Sequence, residues 1–209
     1  MFPSLYPILD ASFLPPMGER SPFLRMLVRN LAEAGVGILQ YRNKSGNEAE
    51  IHADARVIRE AAGASMRLVL NDWPELAIAA GFDGVHVGQT DVSPAKARGI
   101  VGAAKIVGLS THNEAQLRAA DSQPVDYIAI GPVFATATKA NPDPVVGIEG
   151  VRTARRITSK TLVAIGGITL ENAADVRQAG ADSVAVISAI FLPDGSPVQA
   201  CRDFLRICR

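Results

Sequence analysis

The chain is poor in cysteine, histidine and aromatic residues, and neither sign of charge is in excess. Its 209 residues include two cysteines and three histidines. Cys201 and Cys208 lie near the carboxyl end. On a helix they share a face about two turns apart, too far for a disulfide. They read as half-buried apolar residues of a last helix, and a reducing cytoplasm is the expected compartment. Scattered histidines and two such cysteines offer no zinc set. Basic and acidic residues balance at 21 each. The general field of a nucleic-acid binder is therefore missing, and no nucleic-acid partner is expected. No apolar run approaches the ~20 residues that cross a membrane, so no membrane partner is expected either. Met1 to Pro7 shows no basic leader before an apolar block and does not read as a secretion signal. Two fingerprints are also missing. No Gly-x-Gly-x-x-Gly turn follows the first apolar run, which ends in Leu9-Asp10-Ala11-Ser12, and no Gly-x-Ser-x-Gly elbow surrounds Ser110.

What is present is a core of alanine, valine, isoleucine and leucine, within a hydrophobic content of 48%. Short apolar runs with glycine or polar punctuation predict strands near 5–10, 37–42, 67–72, 84–88, 105–110, 127–132, 162–167 and 183–188. Between them lie Ala-rich segments with helical spacing, such as Phe23-Leu24-Leu27-Leu31 and Ala173-Val176-Ala179. Eight strand-plus-helix units of roughly 25 residues each approach the lower size limit of a (β/α)8 barrel. A weak repeat supports the count. Ala34-Gly35-Val36-Gly37-Ile38, Ala80-Gly81-Phe82-Asp83-Gly84-Val85 and Ala179-Gly180-Ala181-Asp182-Ser183-Val184 each read as a helix end, a glycine stop and a new strand. Runs that are apolar on both faces imply a parallel sheet covered by helices. A doubly wound open sheet would bury similar runs, but without its dinucleotide turn the barrel is preferred. The expectation is an α/β chain, a single TIM barrel spanning 1–209 as one catalytic domain.

In such a barrel chemistry belongs at the carboxyl ends of the strands, and there the polar clusters fall. Gln40-Tyr41-Arg42-Asn43-Lys44 follows the second run, Asn71-Asp72 the third, Gly88-Gln89-Thr90-Asp91 the fourth, and Thr136-Ala137-Thr138-Lys139 the sixth. Asp72 and Asp91, on neighbouring strands, suit one shared magnesium, because hard divalent cations choose carboxylate oxygens and are completed by water and phosphate. Each equally suits a helix cap. Arg42, Lys44 and Lys139 would add the charge that grips phosphate, although any one alone is an ordinary surface cation.

Ile165-Gly166-Gly167-Ile168 and Ile187-Ser188-Ala189-Ile190 occupy the usual phosphate corner of these barrels. Backbone N–H groups free of side-chain obstruction can hold a monophosphate there. Ser110 and His112 end the fifth strand. His112 is equally a helix-start residue bonded to nearby backbone, and His86 inside strand four reads as packed or barrel-lining. The loop near 133–148 reads as a lid or an ordered binding loop. Asn47 reads as a helix cap.

Taken in order, Gln40-x-Arg42-x-Lys44, Asn71-Asp72, Gly88-Gln89-x-Asp91, Gly108-x-Ser110-x-His112, Gly131-Pro132-x-Phe134-x-Thr136-x-Thr138-Lys139, Ile165-Gly166-Gly167-Ile168 and Ile187-Ser188-Ala189-Ile190 resemble the thiamine-phosphate synthase family over nearly the whole chain. The resemblance implies a magnesium-dependent alkyl transfer. The 4-amino-2-methyl-5-pyrimidinylmethyl group would leave its diphosphate for the nitrogen of a thiazole phosphate. Gln40, Tyr41, Arg42, Asn43, Lys44, Asn71, Ser110 and Lys139 would bind the pyrimidine diphosphate, with Arg42, Lys44, Ser110 and Lys139 counted as catalytic. Asp72 and Asp91 would bind Mg2+. Thr136, Ala137, Thr138, Gly167, Ile187 and Ser188 would hold the thiazole phosphate. Asn43 stands where many relatives have an acidic residue and Thr90 where glutamate is frequent. The partners implied are these two small-molecule substrates, and a homo-oligomer is left open. A thiazole tautomerase of the same fold and a non-catalytic binder of thiamine precursors are the competing readings.

Overall fold

Eight apolar runs become eight parallel strands that close on themselves in sequence order. They are β1 (Leu5–Asp10), β2 (Ile38–Arg42), β3 (Arg67–Asn71), β4 (Gly84–Val87), β5 (Ile106–Thr111), β6 (Tyr127–Ile130), β7 (Thr161–Ile165) and β8 (Ser183–Val186). The structure, a computed structural model, describes residues 1–136, 143–191 and 195–208. The helices among these are α1 (Met17–Glu33), α2 (Glu48–Ala62), α3 (Pro74–Ala79), α4 (Pro94–Val101), α5 (Glu114–Asp121), α6 (Gly147–Ile157), α7 (Ala173–Gln178), α8 (Ser188–Phe191) and α9 (Pro197–Ile207). The expected barrel is the observed one.

Several strands end earlier than their apolar runs suggest. β7 stops at Ile165 because Gly166 and Gly167 both take positive φ, at 99° and 64°, which an extended strand does not allow. β8 stops at Val186 because Ser188 already opens α8. Helix starts follow capping chemistry. The side chains of Asn47, Ser93, Asn113 and Ser196 each accept a hydrogen bond from a backbone N–H in the first turn of α2, α4, α5 and α9. The Asn47 cap was expected. Asp91 is not a cap, since Ser93 has that role.

Strand alternation sorts the core into two parts. Leu5, Leu9, Leu39, Leu68, Leu70, Ile128 and Val184 face outward and pack with helix residues such as Leu24, Leu27, Val28 and Leu31 of α1. Tyr6, Ile8, Ile38, Val69, Tyr127, Ala129, Val163 and Ala185 face inward and fill the barrel. Each fully buried Leu or Ile contributes about 1.5–3 kcal/mol relative to exposure, so the outer shell holds the helices against the sheet. Cys201 and Cys208 belong to that shell as free, buried thiols, and burial pushes the Cys201 thiol up to about 12.

The end of the barrel opposite the strand tips repeats one clamp at three places. Arg59 of α2 pairs with Asp83 at 2.9 Å, and Asp83 also accepts the Leu68 N–H at 2.8 Å. Arg98 of α4 pairs with Asp126 at 2.5 Å, which accepts the Val107 N–H at 2.7 Å. Arg155 of α6 pairs with Asp182 at 2.8 Å, which accepts the Leu162 N–H at 2.8 Å. Each arginine also donates to a carbonyl just past its own helix, at Gly63, Gly102 and Thr158. One carboxylate thus ties a helix end to the start of the strand that follows that helix. The Ala-Gly-x-Asp repeat seen at 80–83 and 179–182 is part of this device.

Candidate functional site

A cavity of about 530 Å3 opens where the strands end. Its wall includes Gln40, Arg42, Lys44, Asn71, Asp72, Asp91, Ser110, Thr136, Gly167, Ile187 and Ser188. Residues from β2, β3, β4, β5, the β6 loop, β7 and β8 therefore meet at one mouth, as the barrel reading expects. Ala137, Thr138 and Lys139 lie outside the described residues.

Two expected contacts are corrected by strand parity. Gln40 and Arg42 face the barrel interior, so Tyr41 between them faces the helices. It is fully buried there, and its hydroxyl donates to Asp54 of α2 at 2.5 Å. Asn43 is also buried; it donates to the Tyr41 hydroxyl at 3.2 Å and accepts from the Ser45 N–H at 2.8 Å. Neither side chain lines the cavity. Both instead brace the segment that carries Arg42 and Lys44.

Asp72 and Asp91 come together. Their carboxyl groups lie close enough for each to shift the other's ionisation, Asp72 upward and Asp91 downward. Burial raises the Asp72 carboxyl above its ordinary value; the Lys44 ammonium opposes this and the Asp91 charge adds to it. Partial burial works against Asp91 ionising. Hydrogen bonds from Asp72 and the Gly88 N–H, with the Lys44 charge, nevertheless hold it below the ordinary value. The Gly88 N–H reaches Asp91 Oδ2 at 2.8 Å and Lys44 Nζ reaches Asp72 Oδ2 at 2.5 Å. Asp72 has a φ of 70°, and it is the only non-glycine among the described residues with positive φ. Aspartate tolerates that conformation better than most residues, yet such backbone is uncommon and clusters at functional sites.

Two carboxyls beside one another form a seat that a hard divalent cation fits. No group of three or more metal-ligating side chains occurs among the described residues. Any cation here would draw its remaining ligands from water and substrate oxygens, the habit of magnesium rather than zinc. A second observation supports an anionic ligand. Asn71 is buried in the cavity wall, and its Nδ2 has no hydrogen-bond partner in the structure. A buried amide donor without an acceptor is costly, and a substrate oxygen would satisfy it.

Across the mouth, Gly166 and Gly167 turn the chain back. A Cβ on Gly167 would stand 2.7 Å from Phe134 Cβ and 2.6 Å from the Ala135 carbonyl. Glycine here permits the close approach of the β6 loop. That loop is tied down at its described ends, with Val133 N–H donating to Ile165 O, Phe134 N–H to Gly166 O, and Val146 N–H to Pro132 O, each at 2.9 Å.

A family model described as thiamine monophosphate synthase matches residues 5–190. The chain belongs to this family. The thiamine-phosphate synthase of Koribacter versatilis is 51% identical over 205 residues, covering 98% of this chain and 95% of its own. That of Agrobacterium fabrum is 47% identical over 163 residues, covering 75% and 74%. Among solved structures, the thiamine phosphate pyrophosphorylase of Pyrococcus furiosus superposes with a TM-score of 0.83 at 26% identity, covering 98% of this chain and 95% of its own.

Within this barrel, two features escaped sequence reasoning, Asp10 and the Tyr6–Tyr127 pair. Asp10, at the tip of β1, forms an ion pair with Arg42 and also accepts from the Ser12 N–H at 2.9 Å and the Ser12 hydroxyl at 2.6 Å. Burial opposes its ionisation, but the Ser12 bonds and the Arg42 charge hold its carboxyl below the ordinary value. The signal was available, because Asp10 ends an apolar run as Asp72 does. His112 lines the cavity, with Nδ1 2.6 Å from Gly131 O and Nε2 3.5 Å from Asp143 Oδ2. Tyr6 and Tyr127 meet under the cavity floor. Their only trace in the sequence is Gly108, where a Cβ would stand 2.0 Å from the Tyr127 ring.

Proposed function

We propose that this protein transfers the 4-amino-2-methyl-5-pyrimidinylmethyl group from its diphosphate to a thiazole phosphate, giving thiamine monophosphate and diphosphate. The bond between the exocyclic methylene and the diphosphate oxygen breaks, and its electron pair leaves with diphosphate. The lone pair of the thiazole nitrogen forms the new carbon–nitrogen bond. The observation that carries this reading is the adjacent Asp72–Asp91 pair beside Arg42 and Lys44, set across one cavity from the Gly166-Gly167 turn.

Magnesium bound between the two carboxylates would supply positive charge that makes diphosphate a better leaving group. The chain's own part is charge and position. Arg42, Lys44 and Lys139 neutralise the departing oxygens, Asn71 donates its partnerless amide, and Ser110 donates its hydroxyl. Gln40 supports the pyrimidine ring. Thr136, Ala137, Thr138, Gly167, Ile187 and Ser188 hold the thiazole phosphate, so that both fragments meet in line. No side chain need act as a nucleophile, because the thiazole nitrogen already carries its lone pair.

On this reading residues 1–209 act as one catalytic domain on two small molecules, without nucleic acid. The free, buried thiols of Cys201 and Cys208 suit the reducing cytoplasm, and a homo-oligomer is compatible with the site. The test is incubation of purified protein with both precursors and magnesium, with product oxidised to fluorescent thiochrome. Product formation is expected. Tight binding of both precursors without product would instead favour a non-catalytic binder, and isomerisation of the thiazole without transfer would favour a tautomerase.

A further inference from the structure

An unbroken chain of hydrogen bonds runs beneath the cavity and joins two of its walls. Gln40 Nε2 donates to the Tyr6 hydroxyl at 3.0 Å. The Tyr6 and Tyr127 hydroxyls are 2.9 Å apart, and Tyr127 Oη lies 2.8 Å from His86 Nδ1. His86 Nε2 in turn lies 2.8 Å from Ser110 Oγ. Gln40 and Ser110, at the ends, both line the cavity. The residues between them are buried, Tyr6 and Tyr127 almost completely.

Proton counting restricts this chain to two arrangements. Burial pushes both phenols above their ordinary value, so each keeps its proton, and a neutral imidazole carries one on either nitrogen. Every link needs one proton. With Gln40 donating, Tyr6 donates to Tyr127, Tyr127 donates to Nδ1, and Nε2–H donates to Ser110. The Ser110 hydrogen is then free to point into the cavity, and the Gln40 carbonyl oxygen remains as an acceptor. In the reverse arrangement Ser110 donates to Nε2, Nδ1–H to Tyr127, Tyr127 to Tyr6, and Tyr6 to the Gln40 oxygen after a carboxamide flip. Gln40 then offers its NH2 to the cavity and Ser110 offers only lone pairs. Any mixed state puts two protons or none into one link, setting two donors or two lone pairs face to face at hydrogen-bond distance in a buried site, which folded proteins avoid.

We propose that Tyr6 and Tyr127 are positioning residues that tie the hydrogen-bond polarity of Gln40 to that of Ser110. A ring substituent that donates to Gln40 thereby leaves the Ser110 hydroxyl aimed as a donor at the departing diphosphate. The 4-amino group of the pyrimidine is such a donor. A 4-oxo group is an acceptor; it selects the reverse arrangement and removes the Ser110 donor from the leaving group. Substrate selection and leaving-group assistance are thus one event. This inference rests on the function proposed above.

The test compares turnover of the 4-amino and the 4-oxo pyrimidinylmethyl diphosphates by wild type, Tyr6→Phe and Tyr127→Phe. Intrinsic reactivity differs between the two substrates, but it cancels when their kcat ratio is compared across proteins. Either substitution cuts the chain, so the ratio of 4-amino to 4-oxo kcat should fall at least about tenfold from wild type. The KM for thiazole phosphate should not move, which a general loosening of the fold would not spare. A ratio within about threefold of wild type in both variants overturns the inference. Absence of product from wild type with the 4-amino substrate overturns instead the function beneath it. A second measurement needs no substitution. In 15N-histidine spectra, saturating 4-amino-2-methyl-5-hydroxymethylpyrimidine should hold His86 as the Nε2–H tautomer, and the 4-oxo alcohol should shift it to Nδ1–H. The same tautomer with both probes contradicts the coupling.

Discussion

Asp10 holds Arg42. The carboxylate at the tip of β1 forms an ion pair with the guanidinium at the tip of the neighbouring β2, where Asp10 stands opposite Arg42 in register. Two bonds from Ser12 fix the carboxylate in turn, so one edge of the guanidinium is committed and its orientation is set. Asp10→Asn keeps the shape and removes the charge. It should raise the KM for pyrimidine diphosphate about tenfold and leave that for thiazole phosphate unchanged, as steady-state kinetics with each substrate varied will show. Because the folded carboxyl sits below its ordinary value, it contributes stability above about pH 4 that is lost as pH falls through the depressed value. Thermal melts below that pH should therefore converge for wild type and Asp10→Asn, having differed at neutral pH.

Lys44 sits on Asp72, where a cation would also sit. Lys44→Met should tighten magnesium binding to the free protein by about three- to tenfold, since a competing charge is removed. The same substitution should lower kcat by about a hundredfold, because the leaving diphosphate loses a neutralising group. Magnesium titration calorimetry and turnover would move in opposite directions. Weaker magnesium binding would show that Lys44 supports the seat rather than competing for it.

The clamps at the far end of the barrel should affect stability alone. Asp126→Ala removes an acceptor from the Val107 N–H and an ion partner from Arg98, at a cost of about 1–2 kcal/mol, discounted because the carboxylate is half exposed. For a chain of this size that lowers Tm by roughly 3–6 °C. Calorimetry should detect the shift while kcat and both KM values stay at wild type.

Gly167→Ala should do two things at once. A Cβ at positive φ, within 2.6 Å of Ala135 O, pushes the β6 loop away from the β7 turn. Tm should fall, and the KM for thiazole phosphate should rise about tenfold or more with that for pyrimidine diphosphate unmoved. A defect confined to the pyrimidine side would mean that the two halves of the cavity are assigned the wrong way round.

The barrel was legible because its signals are local. Each strand is a short apolar run, and glycines such as Gly35, Gly81 and Gly180, all at positive φ, mark where helices stop. Polar residues at strand tips were legible for the same reason, and Asp72 with Asp91 is the clearest case. Tyr41 and Asn43 misled because the motif was read as a continuous stretch, whereas a strand sends alternate side chains to opposite faces. Tyr6 and Tyr127 could not be read at all, since they are 121 positions apart and meet only once the barrel closes. Gly108 hints at a large neighbour, but not at which one.

The paired aspartates are tested most directly by the initial rate of thiamine phosphate formation against magnesium concentration, in wild type and in Asp72→Asn with Asp91→Asn. The wild-type rate should saturate with magnesium and stop with a chelator, and the double variant should fall at least about a thousandfold while keeping its fold. Turnover by wild type in chelator, or a double variant within about threefold of wild type, would contradict a metal seat at these two carboxylates.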